Sequence, residues 1–226
     1  MSATSEKRRN PLSHARIIEA AVGYADTYGF SALGVRSLAA ELGVQPMSLY
    51  HHLQGKDAIV DGVVSYLLDE ANLAAPASSW AEWCEHLFLA TRDLARRHPG
   101  AVEALLTSPT SGTAADKATE IGLDLFQQAG FGRTDAMHAV STVSLTALGL
   151  VASERQLALM RSVAAGKANL APNERLEWFA QRHPRLLGTA SADLDGYDPW
   201  AFALRTMLTG IGAQLPTTRR GTRRRN

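Results

Sequence analysis

In the run LGVQPMSLYHHLQGKDAIV, residues 42–60, a glycine and a proline stand three residues apart between two short stretches with apolar residues at helical spacing. Few backbone arrangements satisfy that pattern. Leu38, Ala39, Leu42, Val44 and Leu49 are apolar where two short helices, predicted over 35–42 and 46–53, meet across a sharp turn. Ala39 is small enough for close approach, and Gly43 can take the left-handed conformation that ends a helix. Pro46 suits the first turn of the next helix, where its missing N–H costs nothing. Two helices joined in this way make a helix-turn-helix, whose second helix lies in the major groove of DNA. With Leu49 and Leu53 facing inward, Pro46, Met47, Tyr50, His51 and Gln54 face outward. Ser48, Tyr50, His51, His52 and Lys56 then crowd hydrogen-bond donors onto one surface, suited to phosphates and base edges. A merely solvated surface is the plainer alternative. His51 and His52 are neighbours, and neighbours on a helix project about 100° apart, which argues against a shared metal ion.

The rest of the chain reads as helical too. Ile17, Ala20, Ala21, Tyr24 and Ala25 form one stripe between an N-cap at Ser13 and a stop at Gly29. A fourth helix is predicted from 56–57 to about 72, with Ile59, Val63, Tyr66 and Leu67 on one side. A Pro/Ser/Ala connector, 74–79, leads to helices predicted at 80–98, 101–107, 113–129 and 133–165, the first stopped by His98-Pro99-Gly100. A further helix is predicted at 173–182. The last starts at Asp198-Pro199, an N-cap followed by proline, and runs to about 215. No segment alternates as a strand does, so the fold class is all-α.

Composition narrows the function. Hydrophobic residues make up 46% of the 226, enough for a sizeable core. The single cysteine, Cys84, permits no intrachain disulfide and no cysteine-based metal site, which suits a reducing cytoplasm. The N-terminus lacks the apolar run of a signal peptide, and the stretch nearest to a membrane span, 139–153, is short and rich in Ser and Thr. A cytoplasmic protein with no membrane partner is expected. Residues 1–56 carry six Lys/Arg against four Asp/Glu, residues 57–218 twelve against eighteen, and the tail 219–226 adds five arginines. A basic head on an acidic body suits a polyanion-binding module, with a solvated charged face as the alternative. There is no G-x-S-x-G, no P-loop and no zinc spacing. Neither catalysis nor a cofactor or metal is expected.

The run AA…YG…VRSLAAELGV…SLYHHLQGKDAIV, within 17–59, resembles the TetR family of transcriptional repressors. The resemblance implies a three-helix N-terminal helix-turn-helix domain joined by a fourth helix to a larger α-helical ligand-binding and dimerisation domain. On that basis residues 1–12 are a basic arm, 13–56 the DNA-binding domain, 57–73 the linking helix, 74–216 the effector-binding and dimerisation domain, and 217–226 an arginine-rich tail. It further implies that Arg36 reaches bases or phosphates, that Ser48, Tyr50 and His52 contact the DNA backbone, and that Lys56 bonds a phosphate. Gln45, Pro46 and Met47 lie where base-reading residues vary. Gly34 departs from the usual threonine cap and Val35 from a frequent hydroxyl residue. The segments SW…ATRDLARRHPGAV…DAMHAVSTVSLTALGLV…DPWAFALRTMLTGI resemble the effector domain of the tetracycline-repressor subfamily. Asn72, Ala104 and Gly122 stand where two histidines and a glutamine would hold a drug–magnesium chelate. The resemblance therefore implies the ligand-domain fold without tetracycline.

Trp83, Leu87, Thr91 and Leu94 share one face of the helix at 80–98, and Ala136, Val140, Val143, Ala147 and Leu150 share one at 133–165. Ser141, Thr142, Ser144 and Thr146 add hydroxyls there. Trp83, His86, Leu87, Thr91, Thr107, His138 and Thr142 are the candidate lining of an apolar ligand pocket with a few polar anchors. Core packing, with hydroxyls bonded to the preceding turn, is the alternative. The helices at 133–165 and 199–215 are apolar on more than one side and need cover. A second chain would supply it, and the family implies a four-helix dimer interface. The expected function is a homodimeric repressor on a palindromic operator, released by a small-molecule effector; the alternative is control by a protein partner. Lys7, Arg8 and Arg9 precede the first helix and can reach phosphates or the minor groove, while the arginine tail either solubilises or adds nonspecific DNA attraction.

Overall fold

The computed structural model describes residues 11–107, 113–164 and 198–215. The helix predicted at 173–182, the basic cluster Lys7–Arg8–Arg9 and the arginine tail lie outside them. Among the described residues there are nine α-helices, one 3₁₀ turn and no strand, so the all-α class holds. The chain divides into two compact units: residues 1–75 with 93–119, and residues 76–92 with 120–226.

The first unit begins with α1, His14–Tyr28. Ser13 caps it by accepting the Arg16 N–H at 3.3 Å, and Gly29 ends it at φ 89°. A 3₁₀ turn, Phe30–Ala32, which the sequence does not announce, leads to α2, Val35–Leu42. Gly43 closes α2 in the left-handed conformation (φ 65°, ψ 36°), with Val44 N–H bonded to Ala39 O and Gly43 N–H to Ala40 O, the Schellman pattern. Gln45 is extended and Pro46 opens α3, Pro46–Tyr50. That helix stops short of the predicted 46–53: residues 51–52 form a turn, yet Leu53 is still buried. Gly55, at φ 100°, precedes α4, Lys56–Glu70. Ile17, Leu38, Leu49, Ile59, Val63 and Leu67 are each no more than 1% exposed; burying such side chains stabilises by about 1.5–3 kcal/mol apiece. The unit also holds the C-terminal end of α5 (Trp80–Arg97), α6 (Glu103–Thr107) and the start of α7 (Thr113–Gln128).

The second unit takes the rest of α5 and α7, then α8, Arg133–Ala164, and α9, Pro199–Gly212. Phe126, fully buried, is the hub of its core. Trp80 stacks on it with centroids 5.5 Å apart, while Trp83 and Phe131 meet it edge-on at 6.1 and 5.4 Å. Asp198 caps α9 by accepting the N–H groups of Trp200 and Ala201 and pairs with Arg92 at 2.8 Å. The Arg92 hydrogen bond, ahead of the caps and the pair's Coulomb attraction, holds the Asp198 carboxyl below the usual range. Arg92 also lies 5.9 Å from the centroid of the Trp200 ring.

Helix α8 is long and apolar enough to cross a membrane over Arg133–Gln156, longer than the apolar stretch 139–153 that the sequence suggests, and 33% of its most apolar 18 residues are buried. Ala136, Val140, Val143 and Ala147 are buried on one face, and His138, Ser141, Thr142, Leu145, Gly149 and Ala152 are exposed on the other. On α9 only Trp200 and Ile211 are buried, and Phe202 is 56% exposed.

Candidate nucleic-acid interface

The Schellman turn and Pro46 fix where α3 starts, and Leu49, 1% exposed, pins it against the core of the first unit. The remaining side chains of the segment then fall on its surface. Gln45, Met47, Tyr50, His51 and His52 are exposed, and Pro46 and Ser48 are half-buried. Met47 and Tyr50 keep 66% and 50% of their surface accessible. Arg36, second residue of α2, and Lys56, first residue of α4, are exposed as well.

Those two cations stand at the wrong end of their helices. The N-terminus of a helix carries positive partial charge and disfavours a neighbouring cation. Its first N–H groups also lack intrahelical acceptors. A side chain caps α1 and α9, but α2 and α4 start from Gly34 and Gly55, which have none to offer. At α2 the nearby Ser37 hydroxyl accepts the Gly34 N–H at 3.0 Å instead. Unused helix-terminal N–H groups beside a cation form a ready site for an anion such as a phosphate. Seven exposed and two half-buried residues of the nine predicted for DNA thus belong to one segment of the first unit, 36–56.

The seven residues predicted for a ligand divide. Trp83, Leu87 and Thr91 are buried on one face of α5, within the second unit, and Thr91 is the one buried polar side chain among the described residues. Trp83 meets Phe126, and its ring fills the space above Gly122, where an added Cβ would lie 2.6 Å from Cζ2. His86 is half-buried. His138 and Thr142 are on the exposed face of α8, and Thr107 is exposed in the first unit. The hydroxyls of Thr107, Thr142 and Thr146 each donate to the carbonyl four residues earlier, at 3.0, 2.7 and 2.7 Å. A cleft of about 140 Å³ in the first unit is lined by Leu68, Asp69, Asn72, Leu73, Ala74, Ala114 and Lys117. None of the seven is among them, and the volume is below the roughly 300–1,000 Å³ of drug-sized pockets.

Cys84, beside Trp83, is buried. Desolvation, then the charge of Glu85, pushes its thiol up to about 12.

Residues 17–63 match the family described as bacterial regulatory proteins, tetR family, and residues 74–215 match the tetracyclin repressor-like C-terminal domain. An HTH-type transcriptional regulator of Saccharopolyspora erythraea is 30% identical over 192 residues, covering 83% of this chain and 79% of the relative. The tetracycline repressor protein class D of Escherichia coli is 27% identical over 208 residues, covering 90% and 91%. Among solved structures, a possible TetR family transcriptional regulator from Streptomyces coelicolor A3(2) superposes with a TM-score of 0.70 at 22% identity, covering 89% of this chain and 99% of that one.

Proposed function

The chain belongs to the tetR family of bacterial regulatory proteins, a family of DNA-binding transcriptional regulators, and on that premise we propose that it acts as a homodimeric repressor of a palindromic operator, released when a small molecule binds its C-terminal domain. The observation that carries the reading is the uncapped, cation-bearing pair of helix starts flanking the exposed face of α3. Arg36, Ser48, Tyr50, His52 and Lys56 are proposed to hold the DNA backbone, and Gln45, Pro46, Met47 and His51 to face bases. The dimer is supported by the exposed face of α8, where Leu145 is 68% exposed beside Gly149 and Ala152, and by Phe202 on α9. An apolar helix this poorly covered in one chain calls for helices from another. Effector binding is supported by Thr91, a polar group on an otherwise apolar buried face with Leu87. Residues 74–215 match a tetracyclin repressor-like domain, but Gly122 is occupied by the Trp83 ring and Ala104 is apolar and buried, so an effector other than a metal chelate of tetracycline is proposed.

Fluorescence anisotropy tests the reading directly, with the DNA upstream of the gene, a scrambled duplex, and two salt concentrations. Binding is expected to prefer the upstream duplex and to weaken with salt. Lys56→Ala should lower the slope of log K against log salt by roughly 0.9 per lost phosphate contact, hence about 2 in a dimer. Tyr50→Ala should weaken binding without removing a charge. Equal affinity for both duplexes in every variant would sink the reading, and a monomer by light scattering would sink its dimeric part.

A further inference from the structure

The outermost ridge of α3 carries a thioether. Leu49, 1% exposed, turns inward and sets the rotation of the helix. Successive helical residues turn by about 100°, so Met47 and His51, two places before and after Leu49, project about 160° away from it. His51 keeps helical dihedrals (φ −72°, ψ −19°), so the two side chains share one ridge. Ser48 and Tyr50 fall about 100° to either side of Leu49. The residues proposed to hold phosphates thus flank the ridge, and the ridge reaches farthest from the core, toward the floor of a groove. Met47 is 66% exposed there.

Met47 offers that floor no hydrogen-bond donor and only a weak acceptor. Pro46, the first residue of α3, has no N–H to add. The base edges in the major groove are hydrogen-bonding groups with one exception, the C5-methyl of thymine. An unbranched, flexible thioether can lie along such a methyl. It has nothing with which to sense the group beside the methyl. Thymine presents the O4 acceptor and cytosine the N4 amino donor, and 5-methylcytosine carries the same methyl on the same C5 carbon. We infer that Met47 is a specificity-determining residue that reads a pyrimidine C5-methyl in each half of the operator, in thymine and 5-methylcytosine alike. A cytosine standing at that place is then bound according to whether it is methylated. The inference rests on the DNA-binding reading above and adds the chemical group that α3 recognises.

The test uses the full chain and duplexes that it enriches from a random-sequence pool. In the enriched duplex each thymine is replaced in turn by uracil, in both half-sites together, which removes the methyl and leaves O4. At one position the parent should lose about fourfold per methyl, hence about fifteenfold over both half-sites, as expected for burying one methyl-sized group. Cytosine at that position should bind as poorly as the lost methyl requires, and 5-methylcytosine should regain the same factor over it. Met47→Leu, apolar and of similar size, should keep both effects, which excludes the sulfur lone pairs as the reader. Met47→Ala and Met47→Gln should bind thymine and uracil equally, and cytosine and 5-methylcytosine equally. Their affinity for a scrambled duplex should match the parent's, because position 47 carries no charge and lies on the surface; lost folding would weaken that binding too. Uracil tolerated at every position, no gain on methylating cytosine, or the same losses in Met47→Ala as in the parent would each overturn the inference while leaving the operator reading in place. A pool from which the parent enriches no sequence sinks both.

Discussion

Alanine in place of glycine has opposite consequences at two points of this chain. Gly23 and Gly122 both sit inside long helices, α1 and α7, and neither is in the left-handed region. Removing a helical glycine gains about 1 kcal/mol in backbone entropy. At Gly23 nothing lies within 4 Å of the new Cβ, so Gly23→Ala should stabilise by about that amount. At Gly122 the Cβ lands 2.6 Å from Cζ2 and 2.8 Å from Cε2 of Trp83. The ring must retreat by close to 1 Å to reach an ordinary contact. It is 1% exposed and backs onto Phe126, itself held by Trp80 and Phe131. Overpacking of this kind costs about 1–3 kcal/mol, which outweighs the helical gain and leaves Gly122→Ala destabilised by about 1 kcal/mol. Urea unfolding at fixed protein concentration separates the two. All four tryptophans, at 80, 83, 178 and 200, lie outside residues 1–75 and 93–119, so their fluorescence reports the second unit, while far-UV circular dichroism reports the whole chain. Gly122→Ala should lower the fluorescence midpoint, and Gly23→Ala should raise stability seen by dichroism. A Gly122→Ala midpoint raised as much as that of Gly23→Ala would mean the Trp83 ring is free to move, and the packing argument would fail.

Other expectations are simpler to check. With its thiol pushed from 9.0 to about 12 by burial, Cys84 has roughly a thousandfold less thiolate than a free cysteine at the same pH; a thiol reagent at pH 8 should leave it intact in the native chain and modify it fully in denaturant, and rapid native labelling would reopen a redox role. Gly149 is exposed on α8 with nothing within 4 Å of an added Cβ. Gly149→Ala should therefore strengthen the isolated helix yet weaken the proposed dimer if another helix packs there, read as a faster shift to monomer on dilution; a dimer unaffected or tightened would place the interface elsewhere.

Local chemistry made much of this fold readable. Ser13, Gly29, Gly43, Pro46 and the Asp198-Pro199 pair mark helix ends because a cap, a positive φ or a missing N–H acts within a few residues of itself. Periodicity misled at Leu53, which stays buried through a turn and made α3 look three residues longer than it is. Its surface donors were legible for the same reason its core was: inward leucines dictate what must point out. The ligand region was not, because its outcome depends on partners distant in sequence. Nothing near Trp83 announces Phe126 or the gap left by Gly122, and the hydroxyls of Thr107 and Thr142 had local acceptors that a pocket reading sets aside. His98-Pro99-Gly100 read as a helix stop only. Nothing around Asp26 in the sequence announces its bonds to His98, Gly100 and Ala101, 72 to 75 positions away.

Helix α3 owes its position to a left-handed glycine, a proline and one buried leucine, and almost nothing to the side chains on its outer face. Changes at 45, 47, 50, 51 and 52 therefore carry little folding burden, since exposed positions typically shift stability by less than about 0.5 kcal/mol. Changes at 38, 39 and 49 meet a close-packed interior. With that outer face in its proposed DNA-facing role, two copies left by a gene duplication would be free to drift apart in the DNA they answer to while their shared scaffold stays under purifying constraint, so new wiring between regulator and target can arise without a detour through unfolded intermediates.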